Sequence, residues 1–323
     1  MLVPVLLFAL GLVLLIKGGD WFVDGATGIA ERFHVPEIII GATVVSIGTT
    51  LPEVMVSATS ALTGHGEIAY GNAIGSIICN TALIAAITVA IRPGPVDTKS
   101  LKTPVLFFFG AAAIYVVNAY VTGYFGRPLG ILLLAIFVTY LVVTVRQGFK
   151  NPAEAEAEEI EEKAAKNSMG KDILLLIVGA ALVAVGADLL VDNGTLIAQA
   201  LGVPESVIAL TFVALGTSLP ELVTAITSLA KGHGALSLGN VIGANIFNLV
   251  LVSGASMTLS PFYIPQESTL FGQNASLVLD IPLMLFVMAF LTLPALKTKK
   301  ISRYQGIVLL ILYAAFCAIQ FTM

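Results

Sequence analysis

Ten apolar stretches, each bounded by a few polar or small residues, set the rhythm of this chain. They fall at about 2–17, 37–62, 69–91, 103–121, 128–146, 172–190, 206–230, 235–257, 274–294 and 304–321. Each is near the ~20 residues a helix needs to cross a hydrocarbon core, so the pattern predicts ten transmembrane helices. The second, third, seventh and eighth carry internal Gly, Pro and polar residues; the others read as plain apolar helices. Glu53 and Glu221 stand out as the only acidic residues in the middle of long apolar runs. A charged side chain at a helix centre costs roughly 2.5–3.5 kcal/mol to insert, which makes both functional-site candidates.

Composition supports this picture. Of 323 residues, 57% are hydrophobic and 11% charged, whereas a soluble domain carries about 25% charged residues. The lipid bilayer is therefore the expected solvent. The net charge of −4 gives no reason to expect nucleic acid as a partner. Cys79 and Cys317 lie in apolar segments far apart and read as reduced packing residues. The run Met1 to Ile16 has no basic start and no small-residue cleavage pattern, so it reads as a retained first span. There is no P-loop, H-E-x-x-H or G-x-S-x-G. Neither an ATP-driven pump nor an intramembrane protease is supported, and no enzyme or cofactor is expected.

Charge sets the expected orientation. With the N-terminus outside, inner loops carry 15 of the Lys and Arg residues and outer loops only Arg127. The positive-inside rule then puts both termini outside. The stretch 147–171, with six glutamates between Glu154 and Glu162, reads as an acidic cytoplasmic linker. It divides a first half, 1–146, from a second, 172–323.

The halves repeat one another. Val35–Ile84 aligns without a gap on Val203–Val252 at a constant offset of 168, with 23 of 50 positions identical. Gly48-Thr49-Thr50-Leu51-Pro52-Glu53 matches Gly216-Thr217-Ser218-Leu219-Pro220-Glu221, and Asn80 matches Asn248. Each half holds five spans. Five is odd, so the second half enters the membrane upside down. The expected fold is all-α, with ten helices as two inverted five-helix repeats, a plan that places the binding site at the midplane.

The repeated motifs carry oxygen chemistry. Thr49 and Glu53 share a helix face. Pro52 lacks an N–H and crowds the turn near Gly48, so a kink or unwinding is expected there, and likewise at Pro220. Span three offers Gly71-Asn72, Gly75-Ser76 and Asn80; span eight offers Gly239-Asn240, Gly243 and Asn248. The glycines predict close helix packing. The hydroxyls have an alternative in bonding their own backbone, and Asn80 and Asn248 in bonding across helices. Together the four spans would supply two carboxylates, two amides, hydroxyls and carbonyls. These are hard donors that suit Ca²⁺ and would equally hold several Na⁺. His65 and His233, each flanked by glycines, read as tight turns.

At these motifs the chain resembles the sodium/calcium exchanger family of the cation/calcium exchanger superfamily, most of all its compact prokaryotic members. Gly48–Glu53 with Gly71–Asn80 resembles the family's first repeat, and Gly216–Glu221 with Gly239–Asn248 the second. The resemblance implies an antiporter exchanging Na⁺ for Ca²⁺ by alternating access, with spans one and six sliding across a fixed core. It implies that Glu53 and Glu221 are shared by both ions and that Thr49 and Thr217 give carbonyl or hydroxyl oxygens. Thr50, Ser218 and Ser76 match sodium-site positions, the carbonyls of Ser46 and Ala214 match backbone sodium ligands, and Asn80 matches a central amide. Ala244 stands where the second repeat of close relatives often has Ser, and Asn248 where some have Asp. The rival readings are a Ca²⁺/H⁺ or potassium-dependent exchanger of the same superfamily, and a cation channel.

Overall fold

A computed structural model describes residues 2–150, 168–200, 216–266 and 269–320. Ten helices run through them: α1 Leu2–Arg32, α2 Glu37–Leu62, α3 Gly66–Ile91, α4 Thr98–Val121, α5 Arg127–Lys150, α6 Met169–Ala200, α7 Leu219–Ala230, α8 Gly234–Leu259, α9 Ser276–Thr298 and α10 Arg303–Gln320. Nine are long and apolar enough to cross a membrane, and α7 is a shorter apolar helix. The acidic stretch of the expected linker, and the first part of the expected seventh span, lie outside the described residues.

The first helix is longer than its apolar stretch. It continues through Lys17-Gly18-Gly19-Asp20 to Arg32 without a break, so Lys17 is on a helix and not in a loop. Its partner explains the length. α1 and α6 pack antiparallel along a seam of glycines seven residues apart, Gly11, Gly18 and Gly25 against Gly179 and Gly186. A Cβ added at Gly11 would lie 2.9 Å from the Gly186 carbonyl oxygen, and one at Gly18 would lie 2.8 Å from the Val183 nitrogen. Only glycine lets the backbones come this close. A seven-residue repeat keeps one narrow stripe facing the partner over many turns. At one end Arg32 Nη2 bonds Asp172 Oδ2 at 3.1 Å. These two helices open the two halves and run in opposite senses, as an inverted repeat requires.

The other helices surround α8, which is the most enclosed, followed by α3 and α2. α2 lies alongside α8, where a Cβ at Gly239 or Gly243 would strike the Ile38 or Ala42 backbone. This is the close packing expected of the second repeat. At Gly71 and Gly75 no described atom lies within 4 Å of an added Cβ, so the same expectation is not met there among the described residues. Tyr140 Oη of α5 donates to Ala42 O at 2.8 Å, and Asn245 Nδ2 of α8 donates to Thr81 Oγ1 of α3 at 2.7 Å.

Short loop pairings hold the ends together. Gly94–Pro95 pairs antiparallel with Lys300–Ile301, and Tyr124–Phe125 with Phe262–Tyr263. Arg92 Nη1 reaches Leu229 O at 3.4 Å, and Arg303 Nη2 reaches Ile91 O at 3.4 Å. Loops assigned to one side by their charge therefore do meet. On that basic side Lys231 Nζ lies 2.7 Å from Asp24 Oδ1, tying the α7–α8 turn to α1. In the same turn Gly232 has φ +91°, as its counterpart Gly64 has +88°, which confirms the tight turns before His233 and His65. His233 Nδ1 lies 2.6 Å from Glu37 Oε1.

Two outcomes follow. Gly179→Val drives a branched side chain into the Phe22 backbone and is expected to destabilise the protein by about 1–3 kcal/mol, read as a lower thermal midpoint in detergent. Gly110, with open space at its Cβ, tolerates Ala without loss. The hydrogen bond to Glu37 raises the pKa of His233 above its ordinary 6.5. The contribution is thus fully present below that value and lost as pH climbs through the raised folded value. Thermal stability is expected to fall over this window, and Glu37→Gln is expected to flatten the profile.

Candidate functional site

The four helices that carry the repeated motifs meet in the middle of the protein. Glu53 and Glu221 are each 0% exposed, and so are Asn80 and Asn248. Ser46, Thr49, Thr50, Ser76 and Ser218 are buried beside them. Thr217 is half-buried. Ala214 lies outside the described residues.

In the first repeat the irregularity is not where Pro52 suggests. Pro52 sits inside α2, which stays α-helical from Ser46 to Leu62. The ring removes one backbone bond, and the turns around it continue. The helices instead widen into π-helical turns at Gly41–Val45, Asn80–Ala85 and Asn248–Val252. In two of these a serine just after the wide turn takes the carbonyl five residues back: Ser46 Oγ to Gly41 O at 2.7 Å, and Ser253 Oγ to Asn248 O at 3.1 Å. Such turns often mark functional sites, and here Asn80 and Asn248 each begin one. The second hexapeptide behaves as expected of a break. Thr217 and Ser218 form a turn, and α7 starts at Leu219 with Pro220 in its first turn and Glu221 beside it.

The hydroxyls bond across helices. Elsewhere threonines bond their own helix, as Thr27 does to Val23 O at 2.9 Å and Thr43 to Ile39 O at 2.7 Å. In the site, Thr49 Oγ1 donates to Asn240 Oδ1 at 3.3 Å, and Thr217 Oγ1 donates to Asn72 Oδ1 at 3.2 Å. These contacts are related by the 168-residue repeat. Ser46 Oγ also lies 2.9 Å from Asn240 O, and Asn72 Nδ2 donates to Ser57 Oγ at 2.8 Å. Thr50 Oγ1 is 3.4 Å from Glu221 Oε1, and Ser218 Oγ is 3.5 Å from Ser76 Oγ. Asn72 and Asn240 thus take the threonine hydrogens and leave hydroxyl lone pairs free. They were visible in the repeat as matched asparagines, but only the fold shows that they orient the threonines.

What remains is a set of oxygens without partners. Both carboxylate oxygens of Glu53, Oε2 of Glu221, and the side-chain oxygens and nitrogens of Asn80 and Asn248 are buried with no hydrogen bond. The helix–helix bonding considered for Asn80 and Asn248 is made by Asn72, Asn240 and Asn245 instead. Each unsatisfied buried polar group costs about 1–3 kcal/mol, and more if charged. A cluster of them around two carboxylates is the chemistry of a hard-cation site, with carboxylate, amide and hydroxyl oxygens. Among the described residues no three His, Cys, Asp or Glu side chains gather into a metal cluster, so neutral oxygens complete the set. Ala244 is fully buried and offers no hydroxyl where its repeat counterpart Ser76 does.

The apolar runs also hold an acid overlooked in the sequence. Asp280 lies in α9, one turn into the membrane span, where Gln320 Nε2 donates to its Oδ1 at 3.0 Å. The two glutamates are therefore not alone.

The family model described as "Sodium/calcium exchanger protein" matches residues 3–146 and 171–322, nearly the whole chain. The chain belongs to the sodium/calcium exchanger family. It is 40% identical to an uncharacterized membrane protein of Methanocaldococcus jannaschii, covering 95% of this chain and 94% of that one. It is 30% identical to the sodium/calcium exchanger MaX1 of Methanosarcina acetivorans, covering 98% of each. Solved structures of the sodium-calcium exchanger NCX_Mj superpose with a TM-score of 0.82 when soaked with Na⁺ and Sr²⁺ and 0.80 when soaked with Na⁺ and Ca²⁺. Both are 35% identical, with 98% of each chain covered. Members of this family are transporters and not enzymes, and the all-helical membrane fold is shared across the full length.

Replacing Asn240 by Leu removes the acceptor for Thr49 and is expected to lower stability by about 1–3 kcal/mol. Asn72→Leu does the same for Thr217. Equal losses in thermal unfolding would confirm the symmetry of the two contacts; no loss in either would show that they do not hold the site.

Proposed function

We propose that this protein is a secondary antiporter that exchanges Na⁺ for Ca²⁺ across the membrane. One observation carries the reading: two fully buried glutamates and two fully buried asparagines, on the four helices that carry the repeated motifs, hold side-chain oxygens without partners. Two carboxylates neutralise one Ca²⁺, and the same oxygens, with hydroxyl help, hold Na⁺ instead. Competition for Glu53 and Glu221 makes occupancy mutually exclusive, so movement of one ion requires the other. In this reading Thr49, Thr50, Ser46, Ser76, Thr217, Ser218, Asn80, Asn248 and Ala214 complete the ion ligands. The relatives support the ion pair, since MaX1 is named a sodium/calcium exchanger and NCX_Mj was soaked with Na⁺, Ca²⁺ and Sr²⁺. Sodium/potassium/calcium exchangers also match, but over 40% of this chain or less.

Alternating access requires a part that moves against a part that holds. α1 and α6 form the separable unit: they pack mainly on each other and touch the core through α2, α7 and Lys231. The halves 1–146 and 172–323 act as the two repeats, joined by a cytoplasmic linker at 147–171. Both termini lie outside, with the basic face carrying Arg92, Lys231 and Arg303 in the cytoplasm.

Glu53→Gln and Glu221→Gln are each expected to abolish ⁴⁵Ca²⁺ uptake into proteoliposomes driven by an imposed Na⁺ gradient. Wild-type uptake that ignores Na⁺ and follows a pH gradient would sink the antiport reading, and ohmic single-channel currents would favour a channel. For orientation, a cysteine placed at Thr63 is expected to react with an impermeant maleimide from outside whole cells, and one at Lys299 only after lysis. The reverse pattern would invert the topology.

A further inference from the structure

A cavity of about 230 Å³ lies away from the ion cluster, between the end of α3, the start of α4 and the first turn of α8. None of the glutamates or asparagines of the ion cluster lines it. Its polar side chains are Thr88, Arg92, Asp97 and Ser237. Thr88 Oγ1 is spent on Ala85 O at 2.8 Å. Asp97 accepts the N–H groups of Lys99 and Ser100 at 2.9 and 3.3 Å, so its charge is turned to the start of its own helix. Arg92 uses one nitrogen on Leu229 O, and a guanidinium has five N–H donors.

Ser237 is different. It is 1% exposed, lines the cavity, and its Oγ has no hydrogen-bond partner. It sits in the opening turn of α8, a helix of 26 residues. The first N–H groups of a helix have no acceptor within it, and those of Gly234 and Ala235 belong to residues lining this cavity. The N-cap residue His233 makes no side-chain bond to them and is engaged with Glu37. Nothing lies within 4 Å of the place where Gly234 would carry a Cβ, so the backbone there is open. A helix N-terminus, a guanidinium and an orphan buried hydroxyl thus line one small space. All three donate hydrogen bonds, and the first two favour negative charge.

We propose that this cavity is an anion site that takes a phosphate-type oxyanion, with Arg92, Ser237 and the first turn of α8 as its donors. The size argues for a small group, since pockets for drug-sized ligands run about 300–1,000 Å³. A tetrahedral oxyanion offers acceptors in several directions at once, as this arrangement requires. Lys300, on the strand paired to the cavity-lining Pro95, adds positive charge nearby. The ligand is either free phosphate or the phosphate of an anionic lipid headgroup.

The test reads binding and not transport, so its outcome is independent of the antiport reading. Thermal unfolding of the full chain is followed in detergent with inorganic phosphate titrated against chloride at constant ionic strength. It is repeated in phosphatidylcholine nanodiscs with and without phosphatidic acid. A saturable rise in the midpoint is expected for the wild type. Arg92→Gln is expected to weaken the apparent affinity roughly tenfold or more, and Ser237→Ala roughly two- to tenfold. Gly234→Asp, which tethers a carboxylate at the open helix start, is expected to fold and to lose the response. A response to inorganic phosphate identifies the free ion, and a response to phosphatidic acid alone identifies the headgroup. No saturable rise with either, or a rise that all three variants retain unchanged, overturns the proposal.

Discussion

Two carboxylates buried at 0% exposure inside a bilayer protein are the constraint on which the rest of this structure depends. Neither Lys nor Arg neutralises them: the ion pairs among the described residues all lie elsewhere, between Arg32 and Asp172, between Lys231 and Asp20 or Asp24, and at the two histidines. At roughly 2.5–3.5 kcal/mol per charge on insertion scales, a pair left uncompensated is a substantial burden on a marginally stable fold. In the proposed reading the compensation comes from a mobile cation. A cation that supplies part of the stability of its own site can also be exchanged for another, and this is the physical root of coupling.

The surrounding polar groups divide into those that bond within the protein and those left without a partner. Asn72, Asn240 and Asn245 bond other side chains across helices. Asn80 and Asn248, at the start of π-helical turns, bond none. The division is made by register and not by residue type. Eight residues of regular α-helix separate Asn72 from Asn80 and Asn240 from Asn248, which turns the two side chains roughly 80° apart into different surroundings. The hydroxyls split in the same way. Thr49 and Thr217 are held by an amide oxygen from the opposite repeat, which ties the two halves together at the point where their ligands meet.

α1 and α6 face a different constraint. They lie in close contact with each other, and glycine at seven-residue spacing allows it. Small residues bring the two backbones together, while the larger side chains on the outer faces meet lipid. The seam is two-fold symmetric, since Gly11 of one half meets Gly186, the repeat counterpart of Gly18. Symmetry of this kind lets one sequence solution serve both openings of the pathway.

Much of this was legible in the sequence. Apolar runs gave the helices because lipid offers no partner for an exposed backbone, so length and hydropathy suffice to place them. An ungapped repeat with five spans per half gave the inversion, because parity is arithmetic. The paired hexapeptides gave the glutamates, because a charge in an apolar run has few explanations. Tertiary structure alone decided the rest. Pro52 passed through an unbroken helix, while wide turns formed at Gly41, Asn80 and Asn248, the first and last of them with a serine hydroxyl on the freed carbonyl. Asp280 went unnoticed because its run resembles any other. The α1 helix outran its hydrophobic stretch because its glycines have a partner in α6, far away in sequence. A sequence records which groups are costly to bury; which of them find partners depends on distances between helices, and those are set only when all ten have packed.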